Sequence, residues 1–229
     1  MTRLDNLVWH ALNGPHRHWS ERHGSLCWYP SAVAPFVAVP AARALPDLSA
    51  ASERGLREPA YFVGILPAAL PDGWHYVARS MILQMMPAAG AEAPVDEHDI
   101  RTLCRADHPH MFELSKLAFP DYFRARTAEL GEYLGIFVGP RLVAMAGERL
   151  ALEGLQEISA VCTHPDFVGR GYARRLTRAL MRRHRERGVA SFLHVSEANV
   201  PARRLYESMG FLTRASLPLG KVARGPVPA

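Results

Sequence analysis

Val161-Cys-Thr-His-Pro-Asp-Phe-Val-Gly-Arg-Gly-Tyr-Ala173 decides how the rest of the chain is read. An apolar strand runs into a Gly-rich turn, and a helix follows. Such a turn leaves backbone N–H groups unpaired at a helix N-terminus, where the macrodipole also favours an anion. The stretch reads as a phosphate cradle.

Working outward, the periodicity predicts a helix over Gly171–Arg187, with Leu176, Ala179, Leu180 and Arg183 at helical spacing and Gly188 as its stop. Ser191–Val195 reads as a strand. Val200–Met209 reads as a helix with Pro201 in its first turn and Gly210 at its end. Phe211–Leu217 is a last strand, and 215–229 holds a strand end and a loose tail. Upstream, Gln156–Thr163 is a strand. Tyr133–Val138 and Leu142–Leu152 form a hairpin about Gly139-Pro140-Arg141. Asp99–Cys104 is a short strand, a helix capped by Asp107 runs through Phe119, and Tyr122–Leu130 is a second helix. The order β-α-α-β-β-β-α-β-α-β predicts an α/β fold of the mixed α+β kind. Its sheet is mixed, and helices cover both faces.

The first ninety residues are harder to read. A helix from Leu4 to Trp19 is interrupted at Gly14-Pro15, and strand candidates follow at Leu26–Tyr29, Phe36–Val39, Tyr61–Leu66 and Trp74–Met86. Prolines at 30, 35, 40, 46, 59, 67 and 71 divide this region. Pro87-Ala-Ala-Gly-Ala-Glu-Ala-Pro94 is an unpatterned linker. The expected organisation is an N-terminal α+β half-domain over 1–90 and a second domain over 96–229.

Composition narrows the function. No run of eighteen apolar residues exists, so no transmembrane helix is expected. The N-terminus lacks the apolar stretch of a signal peptide, and a cytoplasmic protein is expected. Cys27, Cys104 and Cys162 are far apart, form no CxxC pair and read as reduced thiols. The histidines show no HExxH or comparable spacing, so no metal is expected. The formal charge of +5 comes mainly from arginine. Arg170, Arg174, Arg175, Arg178, Arg182, Arg183, Arg185 and Arg187 place that charge on and behind the cradle. Of aromatic residues, only Tyr172 lies among them, so no base-stacking surface is suggested.

Three segments resemble the GNAT superfamily of acyl-CoA-dependent N-acyltransferases over about 96–229, in both motifs and element order. Val168-Gly-Arg-Gly-Tyr-Ala173 is similar to the family's pyrophosphate loop, Gln/Arg-x-x-Gly-x-Gly/Ala. Val168 departs from the first position, which removes a side chain but leaves the amides. Glu157-Ile-Ser-Ala-Val-Cys-Thr-His-Pro165 matches the strand that splays from its neighbour and pairs with the pantetheine arm. Asn199-Val-Pro-Ala-Arg-Arg-Leu-Tyr-Glu-Ser-Met-Gly-Phe211 resembles the family's Asn-x-x-Ala-x-x-x-Tyr-x-x-x-Gly-Phe element. Asn199 and Tyr206, two helical turns apart, would project to one side.

The resemblance implies a GNAT fold with a mostly antiparallel sheet, acetyl-CoA as co-substrate, and an amine acceptor. The implied acceptor is a small molecule or amino acid, as in the subgroup that includes glycine N-acyltransferase-like proteins. Residues 1–90 would cover the acceptor site, and homodimers are frequent in the family. The implied cofactor residues are Val161, Cys162, Thr163, Val168, Gly169, Arg170, Gly171, Tyr172, Ala173, Asn199, Arg203 and Tyr206. Tyr206 would be the general acid, since a phenol of pKa about 10 suits a thiol of about 8.5. Glu157 is the leading base, its carboxyl expected to be raised by apolar neighbours, with a water relay as the alternative. A strand N–H near Val161 would steady the oxyanion. His164, His194, His108 and His110 read first as structural. Two other classes stay open: an acyl-CoA-sensing module without turnover, and a nucleic-acid-binding protein using the Arg-rich helix.

Overall fold

The computed structural model describes residues 2–90, 96–118 and 122–225. Eight strands form the main sheet: β4 (Ala60–Val63), β5 (Trp74–Pro87), β6 (Ile100–Thr102), β7 (Tyr133–Val138), β8 (Arg141–Leu152), β9 (Leu155–Thr163), β10 (Ala190–Ser196) and β11 (Phe211–Arg224). Their spatial order is β4-β11-β5-β10-β9-β8-β7-β6. β9 and β10 pair in parallel, and the other pairings of the sheet are antiparallel. A small sheet of β1 (Glu21–His23), β2 (Leu26–Trp28) and β3 (Val37–Ala38) stands beside it. The expected mixed, mostly antiparallel sheet is what forms.

Alternation along the strands sorts side chains to two faces. Leu134, Ile136, Ala144, Ala146, Ile158, Leu193 and Val195 meet Leu176, Ala179 and Leu180 of α4 (Tyr172–Glu186). Tyr206, from α5 (Val200–Glu207), joins the same cluster. On the other face, Tyr133, Met145 and Cys162 pack against Met111 and Leu114 of α3 (His108–Ala118). There Phe192, Leu150 and Leu152 also pack on Leu7, Val8, Ala11 and Leu12 of α1 (Leu7–Leu12). Burying a side chain such as Leu176 or Leu180 contributes about 1.5–3 kcal/mol, so the apolar stripe of α4 alone accounts for its docking. Helices therefore cover both faces, as the element order predicts.

The first ninety residues contribute directly to this sheet. β5 pairs with β11 from Phe211↔Pro87 to Arg224↔Trp74 and lies between β11 and β10. α2 (Leu48–Glu53) packs with the small sheet and β4 around Trp28, Phe62 and Trp74. The interruption expected at Gly14-Pro15 is present, between α1 and a 3-10 turn at Arg17–Trp19. The expected linker is described only to Gly90, and its residues 91–94 lie outside the described residues.

Two expectations are corrected. Tyr122–Leu130 is not a helix: only a 3-10 turn at Thr127–Leu130 forms. Thr127 is the reason, because its hydroxyl accepts from Arg124 N–H (2.7 Å) and donates to Val33 O (2.7 Å). The side chain thus closes a local turn and ties it to the N-terminal segment. Asp107 does not cap α3 with its side chain; its carboxylate turns back to accept Cys104 N–H (2.9 Å) and pairs with Arg101. The helix end expected at Phe119 lies outside the described residues.

One close approach fixes a side chain used below. A Cβ on Gly147 would stand 2.2 Å from Tyr133 Cδ1 and 2.3 Å from Cε1, so the Tyr133 ring lies directly over this glycine. Gly147→Ala should force the ring aside and destabilise the fold by about 1–3 kcal/mol. A lowered urea midpoint would report it; an unchanged midpoint would show that the ring yields freely.

Candidate active site

β9 leaves β10 halfway along its length. Their ladder runs from Ala190↔Leu155 to Leu193↔Ile158 and stops there. Beyond that point β10 continues on β5 to Ser196↔Ile82, and β9 continues on β8 to Thr163↔Ala144. The strands diverge at a bulge, where the register on β8 jumps between Gly147↔Ser159 and Met145↔Cys162. Within it Ala160 takes φ +52°, a left-handed conformation that costs a non-glycine residue about 1–3 kcal/mol.

The bulge also decides which main-chain groups face the gap. His164 N–H donates to Val143 O (2.7 Å) on β8. By the two-residue alternation of a strand, Cys162 turns its main chain to β8 as well, and Val161 and Thr163 turn theirs toward the gap. Cys162 thus stands apart from its neighbours as a candidate ligand residue. Its thiol is buried, and burial pushes it up to about 12, so it is no nucleophile.

The Gly-rich turn leads from β9 into α4. Gly169 and Gly171 have φ of +80° and +77°, and Gly171 is the N-cap of α4 without any side-chain cap. No atom lies within 4 Å of where a Cβ would stand on either glycine. No side chain caps the first-turn N–H groups of α4, and the turn leaves room beside them, a geometry that fits a pyrophosphate. Val168 is 64% exposed, so its departure from the usual Gln or Arg removes nothing the loop packs on. Arg170 stacks on Phe167 at 5.0 Å beside the loop. Tyr172 is partly buried against the α4 and α5 cluster.

A cavity of about 330 Å³ passes through the gap between β9 and β10. Ser159, Ala160 and Val161 line it on one side, and Val195, Asn199, Ala202 and Tyr206 on the other. Asn199 caps α5, accepting from Ala202 N–H (3.2 Å), and seven residues on Tyr206 faces the same space. Burial pushes the Tyr206 phenol well above its ordinary value of 10.0, so it holds its proton and the expected match to a thiol of about 8.5 is overturned. Arg203 is not among the residues lining this cavity; it donates to Glu197 O (3.1 Å).

The far end of the cavity opens on the α1 and α3 face, where Tyr133, Arg149 and His194 line it together with Phe36, Tyr122 and Phe123. Glu157 lies beneath, fully buried. Its Oε2 accepts from Arg149 Nε (2.9 Å) and Leu150 N–H (3.2 Å), and its Oε1 from Arg149 Nη2 (2.6 Å) and His194 Nδ1 (2.7 Å). Burial alone would raise this carboxyl, but the charge and hydrogen bonds of Arg149, with those of His194, hold it down to about 2. The expected raised value is overturned. Four donors occupy its two oxygens, which leaves no lone pair for an incoming amine.

His194 is fixed with equal definition. Gln84 Oε1 accepts from Arg214 Nη1 (2.6 Å), while Gln84 Nε2 donates to Leu4 O (3.1 Å) and to His194 Nε2 (3.0 Å). His194 therefore accepts at Nε2 and donates from Nδ1 to Glu157. The sequence reading did not single out Arg149, Gln84 or Tyr133. The hairpin β8–β9 carried a signal for the first: with Leu152↔Leu155 and Ala151↔Gln156 as partners, Glu157 falls opposite Leu150 and Arg149.

A GNAT-family protein of known structure from Novosphingobium aromaticivorans is 32% identical, with 99% of this chain and 100% of that one covered, at a TM-score of 0.85. The chain belongs to the GNAT family. The FR47-like protein family matches residues 133–217. A mycothiol acetyltransferase from Thermomonospora curvata is 36% identical over 111 residues, 46% of this chain and 36% of that protein. The chain thus spans little more than a third of this curated relative. A GCN5-related N-acetyltransferase from Kribbella flavida shares the fold at a TM-score of 0.59 and 16% identity, covering 96% and 94% of the two chains.

The buried acids of this GNAT domain set its response to pH. Glu148 is the second: burial would raise it, but hydrogen bonds from His184 and Arg187 and from Glu132 N–H bring it to about 2. For Glu148 and Glu157 the folded value lies below the ordinary 4.5, so their stabilisation is complete above pH 4.5 and is lost as pH falls toward 2. His16 is held neutral by burial, and by the nearby His18, with its value lowered from 6.5 to about 4. The unfolded chain takes up that proton first, so stability already declines from pH 6.5 to 4. Urea midpoints measured across pH 7 to 3 should fall through both windows, and a flat profile would contradict it. Glu157→Gln, which leaves Arg149 buried and unpaired, should cost about 3–5 kcal/mol at neutral pH.

Proposed function

We propose that this chain transfers the acetyl group of acetyl-CoA to a small primary amine, a small molecule or amino acid. One observation carries the reading. A cavity through the gap in the sheet joins the strand edge at Val161, with Asn199 and Tyr206 beside it, to a chamber lined by Tyr133, Arg149 and His194 under the N-terminal segment. The mycothiol acetyltransferase relatives, by their names acetyl-transferring proteins, support the same chemistry.

In this reading the pyrophosphate sits on the N–H groups at the start of α4, from Gly171 to Ala173. The pantetheine arm takes the place of the missing β10 partner along Val161 and Thr163. The amine lone pair forms a C–N bond at the thioester carbonyl, and Val161 N–H faces the oxygen that gains charge. The C–S bond breaks as Tyr206 passes its proton to the departing sulfur. The new ammonium loses one proton, which balances the one taken by the thiolate. Glu157 acts here as a positioning residue: it locks Arg149 and His194 and takes no proton itself. Proton release from the amine falls to water in the cavity, the relay that the sequence left open beside Glu157. Residues of the first ninety, Leu7, Phe36, Val63, Ser80 and Ile82, roof the acceptor end.

Tyr206→Phe should lower kcat by about 10²-fold and leave acetyl-CoA affinity unaltered, as read by thiol release and calorimetric titration. Undiminished kcat would remove Tyr206 from the acid role. Gly171→Asp places a carboxylate, and a side chain at φ +77°, against the pyrophosphate. It should weaken CoA binding by at least about tenfold, the effect of one misplaced charge at a helix N-terminus. An unchanged Kd would move the cradle elsewhere.

A further inference from the structure

Tyr133 carries a polar group that the fold leaves without a partner. The residue is 3% exposed, and its hydroxyl oxygen is buried with no hydrogen-bond partner among the described residues. A buried hydroxyl in that condition is a standing cost unless a ligand meets it. Its position is not adaptable: the ring lies over Gly147, and Phe123 meets it edge-on at 5.9 Å. It lines the cavity, in the row Tyr133↔Gly147↔Ser159 that runs across the sheet toward His194. The second unused donor is on Arg149. Its Nε and Nη2 are taken by Glu157, whereas Nη1 has no hydrogen-bond partner among the described residues, and Arg149 lines the same cavity. The guanidinium stacks on Phe36 at 4.9 Å, which holds its plane. Both residues line the same cavity.

We infer that Tyr133 O–H and Arg149 Nη1 together form an oxygen-recognition site for the acceptor, and that it selects an amine bearing an uncharged carbonyl next to the amino carbon. This inference rests on the acetyl-transfer reading above and narrows its acceptor from free amino acids to their amides and esters. The charge balance makes the choice between oxygen classes. Arg149 is already neutralised by a two-pronged bond to Glu157. A free carboxylate would add a net negative charge beside a guanidinium that is already paired, with no uncompensated cation among the described lining residues. An amide or ester oxygen accepts both hydrogen bonds without that penalty. A purely hydrocarbon neighbour would leave both donors unmet.

The test uses three amines of similar size: L-alaninamide, L-alanine and 3-methylbutan-2-amine, in which an isopropyl group replaces the amide. Thiol release is measured at saturating acetyl-CoA and compared on the concentration of unprotonated amine. Wild-type protein should favour L-alaninamide in kcat/KM by about tenfold or more over each of the others, the worth of one good buried hydrogen bond. In Tyr133→Phe the preference over the hydrocarbon amine should shrink to within about threefold, through KM. The acetyl-CoA Kd should stay at its wild-type value, which also shows that the variant is folded. Arg149→Lys, which keeps the charge beside Glu157, should reduce the same preference. Equal use of all three amines by wild type, or a preference that survives Tyr133→Phe, overturns the oxygen site and leaves acetyl transfer standing. Acetyl-CoA bound with none of the three acetylated overturns the transfer reading itself.

Discussion

β9 cannot follow β10 past Ile158, and most of what this molecule can bind follows from that failure. Each strand is held firmly on its outer side, β9 by β8 and β10 by β5. The divergence is therefore imposed by the bulge at Ala160, not by loose strands. A left-handed alanine is unfavourable, and it persists because ladders on either side over-determine its position. The gain is an opening in the middle of a sheet rather than at its edge. Main-chain groups that would otherwise pair are left for a ligand that can itself donate and accept. A pantetheine arm, with its two amides, has that character. The same opening lets Tyr206, which packs on the α4 side, share a cavity with Tyr133 and Arg149 on the opposite face.

The chamber on that opposite face is floored by an ion pair that the fold can hardly release. Glu157 is fully buried and has all four of its acceptor positions filled. Burying such a pair costs desolvation that its attraction only partly offsets, so its presence is better explained by orientation than by stability. It fixes the guanidinium plane, turns Nη1 of Arg149 away from the carboxylate, and dictates the tautomer of His194. Gln84, anchored by Leu4 O and Arg214, closes the network from the N-terminal side. The first ninety residues thus finish a site whose other walls come from β7 to β10.

The parts of this architecture that were legible in the sequence are those specified locally. The glycines at 169 and 171, the period of α4, the cap at Asn199 and the hairpin turn at Gly139-Pro140 each act within a few residues, and each stands where the sequence placed it. Elements specified at a distance were not legible. β5 finds its partner β11 more than a hundred residues away, and nothing in its own composition names that partner. The apolar flanks of Glu157 correctly announced burial but not the cation that meets it, because Arg149 reaches the carboxylate only through a bulge in the hairpin. Tyr122–Leu130 failed for a related reason: a helix-like pattern was overridden by one hydroxyl bonded to Val33, ninety-four residues away.

The arginines of α4 show why a count of charges does not give a partner. A net +5 with eight arginines between 170 and 187 reads as a basic surface. In the fold Arg175 pairs with Asp99, Arg182 with Glu97 and Glu186, Arg183 with Glu132, and Arg187 with Glu148. Apart from the Arg182–Glu186 pair within the helix, those pairs tie α4 to the segments leading into β6 and β7 and to β8, so much of the expected field is neutralised inside the structure. What remains near the cradle is Arg170 on Phe167 and Arg174 on Ser208, beside the uncapped start of α4. That is a short-range, directional attraction for a compact anion held by backbone N–H groups. A nucleic-acid backbone is held by an extended row of unpaired cations along a groove, whereas four of the eight arginines of this stretch are paired with carboxylates.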